Sequence, residues 1–303
     1  MIIEDIKPGS YILAVSGGLD SVVLLDILAK SKKHKITVAH FDHAMRDDSR
    51  KDAEFVESIS LKYGVDFYTE RAKQEIKSEA QARDARYKFL KETQLKNNAD
   101  SIITAHHQDD VIETIILNML RGTGPKGLTT LISSDEIKRP LINISRDQIE
   151  DYAKSNNLKW SEDPTNLDTK FLRNYVRHSI VPRAVSRDPE FKQKLLTIRK
   201  QTTSLVEEIE KNLSLIQKDV VISDGNNIGI DRSLYIMLPN EVGKALLVEV
   251  FRGFRDNLEI TRKLITKSHV FIKTAKNTKE LPLNKDIKLL SFSDLIVIKE
   301  LNR

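Results

Sequence analysis

The chain has 303 residues, 40% of them hydrophobic and 31% charged, and no cysteine. At roughly 100–200 residues per domain this is two domains' worth of chain, long enough for cores that need no covalent staples. Zero Cys excludes disulfides, a thiolate nucleophile, and Cys-ligated zinc or iron–sulfur clusters, while a net charge of +5 leaves a polyanionic partner open.

The first ten residues, MIIEDIKPGS, carry acids early and no apolar run, so no secretory signal is expected. The apolar stretches Tyr11–Val15 and Val22–Leu25 fall far short of the ~18 residues of a membrane span. A cytoplasmic protein with no membrane partner is expected. Tyr11–Val15 predicts a buried strand, followed by a glycine turn and a helix over Ser21–Ser31. Lys35–His40 predicts a second strand, Asp52–Tyr63 an amphipathic helix and Val65–Thr69 a third strand. Gln81–Asn97 reads as helix, Ser101–Ala105 as strand and Asp109–Leu120 as helix. Strands alternating with helices imply an α/β fold, a doubly wound, Rossmann-like parallel sheet covered on both faces. Ligands then bind at the carboxyl ends of the strands.

Arg139-Pro140-Leu141 interrupts the alternation, Asp147–Asn156 predicts a short helix, and Trp160–Asp168 is polar and turn-rich. Pro182 and Pro189 bracket a boundary, giving a catalytic domain over 1–186 and a second region over 187–303. That region opens on a long helical pattern, Pro189–Lys218, turns at Asp224–Asn227, and continues with helices near Glu241–Phe254 and Glu259–Lys276. Two strand-like pieces, Ile287–Ser291 and Leu295–Lys299, close it. The expected second domain is smaller and mainly helical.

The most informative residues are Ser16-Gly17-Gly18-Leu19-Asp20-Ser21, between a buried strand and a helix. Two glycines let the backbone turn tightly and approach a ligand. The free N–H groups of the helix start then face an anion, and Ser16 and Ser21 offer hydroxyl donors. The loop lacks the Gly-Lys-Ser/Thr ending of a Walker A motif and the spacing of a dinucleotide fingerprint. A carboxylate at Asp20 beside phosphates makes sense as a Mg²⁺ ligand.

This loop resembles the PP-loop of the N-type ATP pyrophosphatases, which split ATP between the α and β phosphates. Further segments resemble one branch, the tRNA(Ile)-lysidine synthetases. They are His40-Phe41-Asp42-His43-Ala44-Met45-Arg46, Ala85–Leu90, Thr104–Asp110 with Glu113-Thr114, Arg121-Gly122-Thr123-Gly124, Arg139-Pro140-Leu141, Glu162–Asn166, and Arg173-Asn174 with Arg177. They occur in the family's order over about residues 10–185; the second half resembles the family only in layout, that of its short form. The resemblance implies that ATP activates O2 of the wobble cytidine in an isoleucine tRNA with a CAU anticodon. The ε-amine of free L-lysine then attacks C2 and expels AMP. It permits a homodimer.

The resemblance assigns Ser16 to Ser21 and His40 to ATP, with Asp20 on Mg²⁺, and gives Asp20, Arg86, His106 and His107 catalytic roles. Asp110 and Glu113 lie at i and i+3 on one helix face and suit the two ammonium groups of lysine, or a metal. Arg86 would pair with the lysine carboxylate or a phosphate. His106 and His107 follow a strand end, where one would contact phosphate or assist proton transfer. Asp109 offers an alternative role as a helix cap, and Trp160 reads as core or lid.

Two departures from the family pattern stand out. Asp42 replaces the usual Asn, and Ala44-Met45 replace Gly-Leu. The charge is also uneven. Lys170–Lys200 holds nine Lys or Arg against Asp188 and Glu190, and Arg252–Lys288 holds ten against four acids. Arg173, Arg177, Arg262, Lys263 and Lys267 are the candidate tRNA contacts. The nearest rival chemistry in the superfamily, tRNA thiolation, commonly relies on Cys. A non-catalytic ATP- or RNA-binding protein on the same fold is the other alternative, against which the presence of Asp20, Arg86, Asp110 and Glu113 argues.

Overall fold

The computed structural model describes residues 3–44, 49–73, 78–161, 170–224, 227–254 and 258–300. They form two compact units, Met1–Thr203 and Ser204–Arg303. The dividing point falls inside a continuous helix, later than the boundary expected after residue 186.

The first unit is built on β1 (Ser10–Ala14), β2 (Lys35–Asp42), β3 (Asp66–Arg71), β4 (Ser101–Ile103) and β5 (Ile137–Lys138). All neighbours pair in parallel, in the order β3-β2-β1-β4-β5. Side chains alternate across the sheet. On one face Leu13 and Val38 pack with Leu24 and Leu25 of α1 (Leu19–Ser31), Val56 of α2 (Ser49–Tyr63) and Ile149 of α5 (Arg146–Ser155). On the other, Ile12, Ala39 and Ile102 meet Phe89 and Leu90 of α3 (Glu79–Lys96). Leu13, Leu24 and Leu25 are fully buried, each stabilising the fold by roughly 2 kcal/mol. This double cover is why the central strands read as unbroken apolar runs. A two-residue strand such as β5 carries no periodicity, and the sequence does not predict it.

A third cluster forms under α4 (Gln108–Leu120), where Val111, Ile112 and Ile115 meet Ile142, Val176, Val181 and Leu195. Val176 and Val181 belong to one helical run. It consists of α6 (Leu172–Tyr175), a π-helical turn (Val176–Ile180) and α7 (Val181–Arg187), and α8 (Phe191–Val220) follows. The strand order reverses between β1 and β4, so their carboxyl ends open a crevice between them. The PP-loop segment follows β1, and His106-His107 follows β4.

The second unit is mainly helical, as expected, but carries more strands than the two pieces predicted. It holds α9 (Arg232–Met237), α10 (Asn240–Phe254) and α11 (Arg262–Thr274). It also holds five strands: β6 (Val221–Asp224), β7 (Asn227–Asp231), β8 (Lys279–Pro282), β9 (Ile287–Ser291) and β10 (Leu295–Glu300). They form an antiparallel sheet in the order β6-β7-β10-β9-β8. Only β9 and β10 are predicted by their apolar content. β8 buries a single residue, Leu281, so its pairing comes from β9 rather than from its own pattern. Tyr235, Leu246, Leu247, Phe251 and Leu289 centre the core. No helix among the described residues is long and apolar enough to cross a membrane.

Candidate active site

After β1 the chain turns through the glycines into α1. Gly17 adopts φ +92°, and a Cβ there would lie 3.3 Å from Val56 Cγ2, so the turn demands glycine. Gly18 occupies the N-cap of α1 and brings no side-chain cap, leaving the helix start suited to an external anion. Ser21 Oγ donates to the Gly18 carbonyl at 2.8 Å and accepts from Ser16 N at 3.2 Å. Ser16 Oγ accepts from Gly18 N at 3.3 Å. The hydroxyl of Ser21, expected as a donor to phosphate, is thus spent on the loop itself in this state. Leu19 is buried in the core and offers the site only its backbone. His40, buried at the end of β2, holds the Val15 carbonyl through Nδ1 at 2.9 Å. Burial lowers its pKa and keeps it neutral, so it braces the loop's entry.

Asp20 is gripped by a residue the sequence reading overlooked. Arg146 Nη1, at the first turn of α5, donates to both Asp20 oxygens at 2.8 and 2.7 Å. Burial pushes the Asp20 carboxyl up, although His107 and Arg146 pull it down. A cation in a helix's first turn opposes the helix dipole, and that local mismatch was the available signal for Arg146. Lys192, which pairs with Asp109 at 2.5 Å, was hidden inside a basic run.

The cap of α4 also differs from expectation. His107, not Asp109, is the N-cap residue. Its Nδ1 accepts from Asp109 N at 3.2 Å, and Asp110 Oδ2 accepts from His107 N at 3.0 Å. With Nδ1 accepting, the neutral ring carries its proton on Nε2, which faces Asp110 Oδ2 at 3.5 Å and Asp20 Oδ2 at 3.7 Å. Asp109 instead accepts from Arg146 N at 2.8 Å. Burial raises the Asp109 pKa, but the bond from Lys192, the backbone N–H of Arg146 and the nearby charges together outweigh it, and the net shift is downward.

Asp110 and Glu113 share one face of α4, as their spacing predicts. Arg173 and Arg177, candidates for tRNA phosphates, are aimed at them instead. Glu113 is 2% exposed and accepts from Arg173 Nε at 2.9 Å and Arg177 Nε at 2.5 Å. Asp110 Oδ1 lies 3.4 Å from Arg173 Nη2 and 3.5 Å from Arg177 Nη2. The two arginines are four residues apart across the start of the π turn, so both face α4. Burial alone would raise the Asp110 pKa; His107 and Arg173 pull it below the usual range.

Arg86, on α3, lies beside the Tyr87 ring at 5.4 Å, and its buried Nε has no hydrogen-bond partner among the described residues. His106 Nδ1 lies 2.8 Å from Thr104 Oγ1. Burial, reinforced by Arg86, Arg139 and Arg173 and opposed by Asp110, pushes its pKa down to about 3. It is therefore neutral at pH 7 and meets a phosphate as a hydrogen-bonding group rather than as a cation.

Asp42 is buried; its Oδ1 accepts from Ala44 N at 2.8 Å, and its other oxygen lies 3.6 Å from Arg71. The extra negative charge is met locally, and the turn bond needs only an oxygen that Asn also has. Ala44 sits at φ +54°, which gives a physical reason for glycine in the usual pattern.

These groups line one cavity of about 1190 Å³. Its lining includes Ser16, Gly18, Leu19, Asp20, Ser21 and His40 around the phosphate loop and Arg86, His106, His107, Asp110, Glu113 and Arg177 around α4, and the two groups meet where His107 Nε2 lies 3.7 Å from Asp20 Oδ2. Trp160 also lines it, while Ser161 N donates to the Gly17 carbonyl at 2.9 Å. Arg262, Lys263 and Lys267 lie elsewhere, on the exposed face of α11, which turns Ile265, His269 and Ile272 inward. Met45, Arg46, Glu162–Asn166 and the middle of the Asp224–Asn227 turn lie outside the described residues.

Comparison with known proteins identifies the family. Residues 1–184 match the PP-loop domain family. A Thermotoga maritima protein named tRNA(Ile)-lysidine synthase is 42% identical over 189 residues, covering 58% of this chain and 46% of that protein. The Petrotoga mobilis protein of the same name is 31% identical over 277 residues, covering 86% of this chain and 85% of its own length. The Wolbachia pipientis protein is 36% identical over 255 residues, covering 78% and 58%. Against the T. maritima relative the chain spans about half the length. Among solved structures, the U34-tRNA thiolase NcsA from Methanococcus maripaludis shares the fold, with TM-score 0.55 and 17% identity over 65% of this chain and 72% of that one. The chain belongs to the PP-loop family and, within it, to the tRNA(Ile)-lysidine synthase family.

Proposed function

We propose that this chain joins free L-lysine to C2 of the wobble cytidine of an isoleucine tRNA with a CAU anticodon, consuming ATP. The observation that carries this reading is the sharing of one cavity by a phosphate-type loop and a buried carboxylate pair. ATP needs the first, and the ammonium groups of lysine suit the second. In the first step cytidine O2 attacks the α phosphorus, the bond to the β phosphate breaks and pyrophosphate leaves. In the second the lysine ε-amine attacks C2, loses a proton, and the C2–O bond breaks to release AMP.

The α1 N-terminus and the Gly17-Gly18 backbone would cradle phosphate oxygens. Asp20 suits a Mg²⁺ ion, which characteristically takes one or two carboxylates and completes its shell with phosphate oxygens and water. The described residues hold no cluster of three or more His, Cys, Asp or Glu for a metal, so the substrate phosphates would supply the remaining ligands. When bound, the ion offsets phosphate charge. Arg146, now on Asp20, is placed to turn to a phosphate when Asp20 takes the ion. Neutral His106 and the Nε2–H of His107 are hydrogen-bonding groups at the strand end, where the reacting atoms would meet. Exposed Arg262, Lys263 and Lys267 would grip tRNA phosphates.

The likeness to the thiolase carries the fold alone, and the absence of Cys argues against a cysteine-dependent sulfur transfer. Purified protein with ATP, labelled lysine and the isoleucine tRNA should release AMP and pyrophosphate only when that tRNA is present, with label joined to it. Absence of lysine incorporation overturns the reading. Reversing the charges of Arg262, Lys263 and Lys267 should weaken tRNA binding at least tenfold at low salt, and the loss should shrink as salt rises; unchanged affinity removes them from the tRNA surface.

A further inference from the structure

Asp110 and Glu113, the carboxylates proposed to take the ammonium groups of lysine, already have partners. Arg173 and Arg177 both reach Glu113 and both lie within 3.5 Å of Asp110. Glu113 is almost completely buried, and in such a setting charges must balance. Two carboxylates against two guanidiniums do balance. An ammonium arriving alone would set three cations against two anions at short range, where repulsion is least screened.

Arg177 is the member of the pair that lines the cavity, near enough to Asp20 to feel its charge. An anion seated there offers it a second partner of equal geometry, since a guanidinium fork fits phosphate as well as carboxylate. Arg86, with a buried and unbonded Nε among the described residues, lines the same cavity. The site is therefore prepared for more negative charge than it holds.

We propose that Arg173 and Arg177 latch the Asp110–Glu113 pair shut. A polyphosphate in the phosphate cradle draws Arg177 away from Glu113, and the amine substrate binds only after the nucleotide. This rests on the reading of Asp110 and Glu113 as the amine site. The coupling is thermodynamic and hence reciprocal: nucleotide and amine each raise the other's affinity by the same factor.

Calorimetric titration of L-lysine into the full chain, with and without saturating α,β-methylene ATP, reads the coupling. The expected result is a lysine affinity at least about tenfold higher with the analogue, matched by an equal gain for the analogue when lysine is saturating. Inorganic pyrophosphate should reproduce part of the gain, and no gain counts against an anion trigger. Arg177→Gln should raise lysine affinity in the absence of nucleotide and bring the coupling factor near one. Arg177→Lys, which keeps the charge but loses the fork, should give a coupling between these limits; full coupling in either variant overturns the role of Arg177. Equal lysine affinity with and without nucleotide in the unaltered protein overturns the latch and leaves the amine site standing. No lysine binding under either condition, with the analogue bound, overturns the amine site and the latch with it.

Discussion

The two ends of the cavity are built by opposite means. At the phosphate loop the structure is made by backbone and hydroxyls: Gly17 in a left-handed turn, Ser16 and Ser21 bonded to the loop itself, and an α1 N-terminus without a side-chain cap. At the α4 end it is made by ion pairs, with Glu113 and Asp110 closed by Arg173 and Arg177. The backbone of the first, open end is preorganised for an anion, and only a cation at Asp20 has a protein partner, Arg146, to displace. The second is neutralised internally, so any ligand must exchange with a protein partner. On the proposed reading, preorganisation would favour rapid capture of nucleotide, and internal pairing would control when the amine enters.

The largest expected effect tests the open end. Asp20→Asn keeps the size and removes the charge that would hold a metal. Its partner Arg146 is 43% exposed, so the unpaired guanidinium can rehydrate and the fold survives. ATP cleavage should fall by at least ~100-fold, measured as pyrophosphate release, with an unchanged circular dichroism spectrum. Retained cleavage would mean that the carboxylate is not the metal ligand. The next effect tests the closed end. Glu113→Gln leaves two guanidiniums facing one buried carboxylate and should lower unfolding stability by roughly 3 kcal/mol, read by urea denaturation. A neutral result would show that the ion pairs are not what holds α4 to the helical run of residues 172–187, and the contrast between the two ends would lose its energetic basis.

The open end was legible in the sequence because it is contiguous: strand, Ser-Gly-Gly-Leu-Asp-Ser, helix. The i, i+3 spacing of Asp110 and Glu113 was legible for the same reason. What closes them was not. Arg146 meets Asp20 across 126 residues of chain, and Arg177 meets Glu113 across 64. Such partners are chosen by the sheet order and by the return of the helical run onto α4, which no local pattern encodes. The basic composition of Lys170–Lys200 pointed Arg173 and Arg177 outward to a polyanion, whereas packing of Val176 and Val181 against α4 turns them inward. The second unit repeats the lesson. Its helices announce themselves by an apolar stripe, while β6 and β8 are edge strands held by the hairpin partner next to them, and β7 also pairs far along the chain, with β10.

His106 lines the cavity among Asp110, Arg86 and Arg173, and its titration tests the electrostatic environment there. In the fold it resists protonation down to about pH 3, chiefly through burial, whereas an exposed imidazole takes its proton near pH 6.5. Between those values the unfolded chain binds the additional proton, so this group makes stability fall as pH falls, by up to ~1.4 kcal/mol per pH unit. Asp20, with its pKa raised by burial, acts in the opposite direction at the carboxylate end of the range. Denaturation at pH 7.5, 6.5 and 5.5 should show the loss, and His106→Gln should flatten it. A slope that survives in part belongs to the other histidines whose pKa burial lowers, among them His34, His40, His43 and His269, and an unchanged slope would show that His106 does not contribute.

The smallest effect concerns Ala44, at a position where the family resemblance implies glycine. Ala44 pays for a left-handed backbone at φ +54°, a conformation that costs an L-residue with a Cβ roughly 1 kcal/mol more than glycine. The bond from its N–H to Asp42 Oδ1 at 2.8 Å holds it there, and Arg71 at 3.6 Å holds Asp42. Ala44→Gly should therefore raise stability by somewhat less than 1 kcal/mol, because the freer unfolded glycine takes back part of the gain. Nucleotide affinity should not change, since the substitution alters strain and not the cradle. A gain in stability accompanied by weaker nucleotide binding would show that the strained turn itself aims Asp42 or His43 at the ligand. The open end would then owe part of its preorganisation to stored strain and not to glycine and hydroxyl geometry alone.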